Sequence, residues 1–316
     1  MPWYLGIDTS NYTTSCAAYN PESGELLSAK RPLSVKPGEV GLRQSDAVFQ
    51  HVKQLEGAVS EITRQIPAPV AVGASVRPRD ADGSYMPCFM AGKMAAGVIS
   101  AALSAPIYEF SHQAGHLAAA LYATDNLKLL NAEFLAFHVS GGTTESMYVY
   151  GGEKPLCVKL LATSNDLYIG QAVDRIGAML GLAFPAGPAL EQLALESQKS
   201  YKPRPAFKGG NPCISGIENQ CRTMLEKNEL PCDVAAYCLA YIREVILRMT
   251  EDAMGQYPDL SVIYAGGVMS NDIIKRAVTE RFGGFFAPPV YSADNAAGIA
   301  VLCAFSHEGE GFSCKF

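Results

Sequence analysis

The sequence predicts an α/β protein of two similar lobes, and three observations carry that reading. Apolar runs of strand length alternate with stretches of helical spacing along the whole chain. One hairpin pattern occurs twice: residues 3–7, a hydroxyl-rich turn and 16–19, and again residues 133–139, a glycine-containing turn and 146–150. At 316 residues the chain also exceeds what one hydrophobic core usually organises. A phosphate-type hairpin at the start of each half suggests lobes that close on a nucleotide.

Composition narrows the function classes. With 48% hydrophobic and 18% charged residues the balance is globular, and a net charge of −6 argues against a broad electrostatic grip on nucleic acid while leaving room for a local basic patch. No run of 18 apolar residues occurs and no basic region precedes the apolar start, so neither a membrane span nor a signal peptide is expected, and the expected compartment is the cytoplasm. Nine cysteines without a C-x-x-C pair indicate neither a zinc ribbon nor a dithiol redox motif.

In the first hairpin the strand 3–7 runs into Asp8 and a stretch of Asp, Thr, Ser and Asn. Such a tip either presents N–H groups and hydroxyls to phosphate, with Asp8 holding a metal or its water, or is a plain surface turn. A connector over 32–45, a helix over 48–66, a strand over 70–76, a charged loop over 77–84, a helix over 90–104 and a strand over 107–110 follow. The chain then reaches Ser111-His112-Gln113-Ala114-Gly115-His116. Helical spacing puts the two imidazoles on one face, as ligands of one cation or as a capping His112 beside a packed His116. No Glu follows the first His, so the H-E-x-x-H metalloprotease arrangement is absent.

The second hairpin carries His138 and the turn Ser140-Gly141-Gly142-Thr143, whose glycines allow close approach of a ligand and positive φ. A helix over 170–181 carries Asp174, and 184–188 reads as a rigid turn. Lys199, Lys202, Arg204 and Lys208, interleaved with Tyr201 and Phe207, read as a solvated loop. A long helix covers 233–256, and a strand over 260–265 ends in Gly266-Gly267 before a helix beginning at Asn271. This order lets an adenosine approach backbone near Gly267. Asp294 opens the last helix, as a further metal ligand or as its N-cap.

Taken together, these residues resemble the universal tRNA threonylcarbamoyladenosine synthase family (TsaD, formerly called O-sialoglycoprotein endopeptidase). The resemblance lies in G-I-D-T-S at 6–10, H-Q-A-G-H at 112–116, V-S-G-G-T-T at 139–144, G-Q-A-V-D-R at 170–175, P-A-G-P at 185–188, A-G-G-V-x-x-N at 265–271 and A-D-N-A-A at 293–297, in collinear order. It implies the actin/hexokinase/Hsp70-like ATPase (ASKHA) fold with duplicated RNase H-like lobes. The first lobe is expected over 1–107, completed by a C-terminal helix at about 295–316, and the second over 108–294 with the metal and adenylate elements.

The resemblance further implies one divalent metal ion, Fe or Zn, on His112, His116 and Asp294, and Asp8 and Asp174 as catalytic carboxylates. His138, Val139, Ser140, Gly141, Gly142, Asp174, Gly187, Gly267 and Asn271 become the substrate-binding set for an adenine nucleotide or threonylcarbamoyl-AMP. The implied reaction is threonylcarbamoyl transfer to N6 of adenosine 37 of ANN-decoding tRNA, with tRNA and TsaB- or TsaE-like proteins as partners and no membrane.

Tyr12-Thr13 replaces the family's acidic pair, Arg77-Pro78-Arg79 with an acidic insertion replaces its Gly-Pro-Gly loop, His138 stands where some members have a metal-ligating Tyr, and Thr143 replaces a His or Asn. These departures describe a diverged paralogue. A non-catalytic nucleotide-binding or assembly subunit is therefore the alternative to the enzyme, while a sugar or acetate-type kinase on the same fold has no need of the His pair.

Overall fold

The computed structural model describes residues 1–10, 12–35, 42–152, 155–292, 296–309 and 312. Strand and helix alternate at the start: β1 (Tyr4–Asp8), β2 (Thr13–Tyr19), β3 (Leu26–Pro32), α1 (Gln44–Thr63), β4 (Ala71–Arg77), α2 (Phe89–Leu103), β5 (Ile107–Ser111) and α3 (His112–Ala123). A 3-10 turn at Leu127–Asn131 leads to β6 (Phe134–Val139), β7 (Thr144–Tyr150) and β8 (Cys157–Thr163). Next come α4 (Ile169–Met179), α5 (Gly187–Leu195), the small hairpin β9 (Ala206–Lys208) and β10 (Asn211–Cys213), α6 (Gly216–Glu226) and α7 (Pro231–Gln256). The chain closes with β11 (Val262–Ala265), a 3-10 turn at Gly267–Ser270, α8 (Asp272–Phe282), β12 (Phe285–Phe286), α9 (Pro289–Ser292) and α10 (Ala297–Glu308).

Two units result, one from Met1–Ala132, Gly151–Cys157 and Val290–Phe316, the other from Glu133–Tyr150 and Val158–Pro289. The chain therefore divides after Ala132 rather than after residue 107, because β5 pairs parallel with β4 and α3 packs on α10. The His pair thus lies in the first unit, not the second. Each unit holds one five-stranded sheet, ordered β3-β2-β1-β4-β5 in the first and β8-β7-β6-β11-β12 in the second. These are the same order, with an antiparallel hairpin (β1/β2, β6/β7) followed by a parallel strand (β4, β11). The α/β fold with a repeated lobe is the one the sequence predicts.

In the first sheet side-chain alternation decides which helix covers which face. Leu5, Ile7, Val72 and Ala74 are buried with Leu55, Ala58 and Ile62 of α1 and Ala96 of α2. Burying each large apolar side chain there contributes about 1.5–3 kcal/mol. The opposite face shows Gly6 and Gly73 to α10, where a Cβ would lie 2.4 Å from the Ala300 nitrogen and 2.9 Å from the Cys303 Cβ respectively. Where α10 crosses α3 the approach is closer still, since a Cβ on Gly298 would fall 1.8 Å from the Gly115 carbonyl oxygen. Glycine is what lets this helix seat.

In the second unit Leu135, Phe137, Val139, Val262 and Tyr264 bury one sheet face with Ile176 of α4, Leu190 of α5, Ile242 and Ile246 of α7 and Ile274 of α8. Burial also opposes ionisation of the Cys16 and Cys303 thiols and raises their pKa values. No helix among the described residues is long and apolar enough to cross a membrane.

Candidate functional site

In the first unit, β1 ends on Asp8 and β5 runs straight into α3, whose first residue is His112. Ser111 caps that helix, its Oγ accepting from the Ala114 N–H at 3.2 Å. One helical turn then brings His112 and His116 together with ring centroids 4.3 Å apart and planes inclined by 70°. Asp8, only 1% exposed, holds the first ring: its Oδ2 lies 2.8 Å from His112 Nδ1, while its Oδ1 accepts from the Ser10 N–H at 2.7 Å. The carboxylate is therefore turned onto an imidazole. Thr9 and Ser10 are fully buried rather than presented to phosphate, Thr9 Oγ1 donating to the Cys88 carbonyl at 2.9 Å and accepting from the Gly92 N–H at 3.0 Å.

The two imidazoles are donors of a type that a metal ion takes. A carboxylate on Nδ1 fixes the His112 tautomer, so coordination there would go through Nε2, and two imidazoles on one face are borderline donors suited to Fe or Zn. Ser10 Oγ is buried with no hydrogen-bond partner among the described residues. No group of three His, Cys, Asp or Glu converges among the described residues, and Asp294 lies outside them. Helix α10 begins at Ala297 with Ala296 before it, and the N-cap reading of Asp294 lies, like the residue, outside the described residues.

The charged loop after β4 clamps α3. Arg77 reaches Asp80 Oδ1 with Nε at 2.8 Å and Nη2 at 2.6 Å, Asp80 Oδ2 accepts from Ser111 Oγ at 2.7 Å, and the Gln113 N–H donates to the Pro78 carbonyl at 3.1 Å. An Arg–Asp–Ser chain thus orients the helix that carries both histidines. Nothing in the sequence announces it, since Asp80 and Ser111 are 31 residues apart.

In the second unit the β6–β7 turn is closed by the Ser140 N–H donating to the Thr143 carbonyl at 2.8 Å, with Ser140 Oγ and Thr143 Oγ1 2.8 Å apart. Thr143 Oγ1 also lies 3.3 Å from His138 Nδ1, and the Gly142 N–H donates to Ser140 Oγ at 3.2 Å. Gly141 and Gly142 are exposed, have open space where a Cβ would stand, and neither has positive φ. Their contribution is close approach, not unusual backbone. The positions where glycine is forced are Gly170, whose Cβ would lie 2.5 Å from the Gly141 nitrogen, and Gly266, with φ +101° and a Cβ 2.1 Å from the Val139 carbonyl oxygen.

Helix α4 begins against this turn, the Ile169 N–H donating to Thr144 Oγ1 at 2.9 Å and the Gly170 N–H to the Ser140 carbonyl at 3.1 Å. Farther along α4, Asp174 Oδ1 accepts from the Ala186 N–H at 2.9 Å and so fixes the turn before Gly187. Gly267 is exposed and open, and Asn271 caps α8, its Oδ1 accepting from the Ile274 N–H at 3.1 Å. The structure thus joins His138, Val139 and residues 140–142 to α4 and to Gly266, while Asp174 is engaged by the Gly187 turn and Asn271 by its own helix. Thr143, Thr144, Gly170 and Gly266 lie inside the motifs quoted above without being among the expected site residues, and the packing of the turn brings them in.

A family profile for TsaD, tRNA N6-adenosine threonylcarbamoyltransferase, matches residues 82–301. The chain belongs to this family. It is 31% identical over 237 residues to the tRNA N6-adenosine threonylcarbamoyltransferase of Streptococcus agalactiae serotype III (strain NEM316), covering 71% of this chain and 68% of that protein. To the protein of the same description in Streptococcus suis (strain 05ZYH33) it is 30% identical over 319 residues, covering 96% and 91%. Solved structures with the same fold include HypF of T. kodakarensis, at TM-score 0.62 and 14% identity over 99% of this chain and 48% of that one. Component A of (R)-2-hydroxyglutaryl-CoA dehydratase from Acidaminococcus fermentans gives 0.57 and 17% over 97% and 99%. The enzymatic class of this TsaD-family chain is that of an acyltransferase of tRNA modification.

Proposed function

We propose that this TsaD-family chain transfers a threonylcarbamoyl group from threonylcarbamoyl-AMP to N6 of adenosine 37 of ANN-decoding tRNA, in the cytoplasm and with TsaB- and TsaE-like proteins. The observation that carries the reading is the imidazole pair at the start of α3, one ring held by a buried carboxylate 2.8 Å away. In the reaction N6 bonds to the carbamoyl carbon, the bond from that carbon to the phosphate oxygen of AMP breaks, AMP leaves with the electron pair and N6 gives up a proton.

His112 and His116, with Asp294, would hold an iron or zinc ion, which supplies Lewis-acid polarisation of the carbamoyl carbonyl when bound. Asp8 serves as a positioning residue, because both of its oxygens are engaged inside the protein. In the second unit the exposed Gly141-Gly142 turn lets the phosphate come close to the main chain, and open Gly267 admits the adenosine. Asp174 keeps the Gly187 turn in place beside α4. The test is mass spectrometry of tRNA nucleosides from a strain depleted of its own synthase and supplied with this chain. Restored threonylcarbamoyladenosine is expected; its absence beside a folded, metal-loaded protein would assign the chain to the non-catalytic paralogues.

A further inference from the structure

Residues 201–208 form an extended strap on the second unit along which exposure alternates without a break: Tyr201, Pro203, Pro205 and Phe207 are half-buried, and Lys202, Arg204, Ala206 and Lys208 exposed. The underside is fixed. The Tyr201 carbonyl accepts from Arg243 Nη2 at 3.3 Å, its ring meets Tyr237 edge-on at 5.3 Å, and the Arg248 guanidinium lies 5.3 Å from the Phe207 ring. Prolines hold such a segment extended at about 3.1 Å per residue, so cations two positions apart stand about 6 Å apart. That separation is comparable to the step between successive phosphates of a nucleic-acid strand.

Charge pairing sets the same three side chains apart from the cations around the strap. Lys199, just before the strap, is held by Glu229 at 2.6 Å and Asp233 at 2.8 Å, and Arg243 and Arg248 each have a carboxylate. Among the described residues Lys202, Arg204 and Lys208 form no ion pair. A row of uncompensated cations on a stiff rail, in a chain of net charge −6, is a local site for a polyanion. Beside it lies a cavity of about 540 Å³ whose lining includes Tyr201, Tyr237, Asn219 and Gln220 together with the Lys199–Glu229 ion pair. Aromatic faces and amides are groups that take an unstacked base, which favours RNA over an acidic polypeptide.

We infer that the strap binds the phosphate backbone of RNA through Lys202, Arg204 and Lys208, and that it is a docking element for the tRNA of the reaction proposed above, on which reading it rests. The test measures tRNA binding to the full chain by fluorescence anisotropy between 50 and 200 mM salt, with Lys202→Gln/Arg204→Gln/Lys208→Gln against wild type. Loss of three phosphate contacts should lower the slope of log affinity against log salt by about 2–3 and the affinity at the low-salt end by about tenfold or more. Thermal stability should not move, because all three side chains are exposed, and Lys202→Arg/Arg204→Lys/Lys208→Arg should bind like wild type. Equal affinity and slope in the neutralised variant would overturn the strap while leaving the proposed reaction standing. No tRNA binding by wild type would overturn both, and retention of polyglutamate as tight as tRNA would assign the strap to an acidic protein surface instead.

Discussion

The hairpin tips of the two units are carried by equivalent strands and held in the same way, yet they offer different chemistry. Each abuts the start of a helix with a glycine at the contact: Gly92 of α2 against Thr9 Oγ1, and Gly170 of α4 against the Gly141 nitrogen. In the first unit Asp8, Thr9 and Ser10 are at most 1% exposed and hydrogen-bonded inward, and what they orient is His112. In the second, residues 140–143 are half-buried or exposed and the glycines face open space. Duplication has kept the means of fixing a tip and changed its use: one is a support for an imidazole, the other a backbone surface open to a ligand.

That division of labour can be broken most severely at the imidazoles. His112→Ala with His116→Ala should take the protein from about one Fe or Zn per chain to none, read by elemental analysis of the purified protein. Unchanged metal content would remove the first tip's assigned purpose. Asp8→Asn tests the support alone: the neutral amide should weaken metal affinity about 10–100-fold, as measured by competition with a chelator, while the fold is retained.

A pair of glycine substitutions separates holding from offering in the second tip. Gly170→Ala forces a Cβ onto backbone and should cost about 1–3 kcal/mol of stability, whereas Gly142→Ala should stay within about 0.5 kcal/mol of wild type and instead weaken adenine-nucleotide binding in calorimetry. Nucleotide affinity unchanged in Gly142→Ala would deny that turn its ligand.

The smallest effect concerns Asp166, which ties the loop before α4 to the start of α6. Burial pushes its carboxyl upward, but hydrogen bonds from the Ile214 and Ser215 N–H groups and the Ser215 and Ser164 hydroxyls outweigh this and hold it well below the usual carboxylate range. A lowered folded-state pKa stabilises above the unfolded value of about 3.9 and ceases to do so as pH falls through the folded one. Asp166→Asn should therefore lose on the order of 1 kcal/mol at pH 7, a figure discounted for its exposure, with the difference from wild type shrinking below about pH 4. A difference that grows in acid would contradict the assignment.

What the sequence discloses follows the range of the interaction. The His pair is legible because helical spacing alone puts both rings on one face, and the buried strands β1, β4, β6 and β11 are legible as apolar runs. Edge strands β3 and β8 are not, since most of their residues are half-buried or exposed and leave no such run. The turn expected over 184–188 ends in a helix, because Gly187-Pro188 opens α5 and proline suits a first turn. Helix α6 does carry an apolar stripe at i, i+4, i+7 and i+8, with Ile217 and Cys221 buried and Met224 and Leu225 packed against the core, but its polar average hides that stripe in a reading by apolar runs. The Arg77–Asp80–Ser111 clamp and the inward turn of Asp8 depend on residues that only the fold brings together, so nothing in the sequence marks Asp8 as the partner of His112.

Helix α10 gives the first sheet a history. The glycine face of β1 and β4 is covered by residues 297–308, so the sheet begun first in synthesis is the last to be finished. The second unit, at 133–150 and 158–289, has all its residues before that helix exists. At about 5–20 residues per second, the stretch between β5 and α10 takes on the order of ten seconds or more to make. A nascent chain halted short of Ala297 would carry a complete second sheet and a first sheet bare on one side, the reverse of the order in which their strands were made.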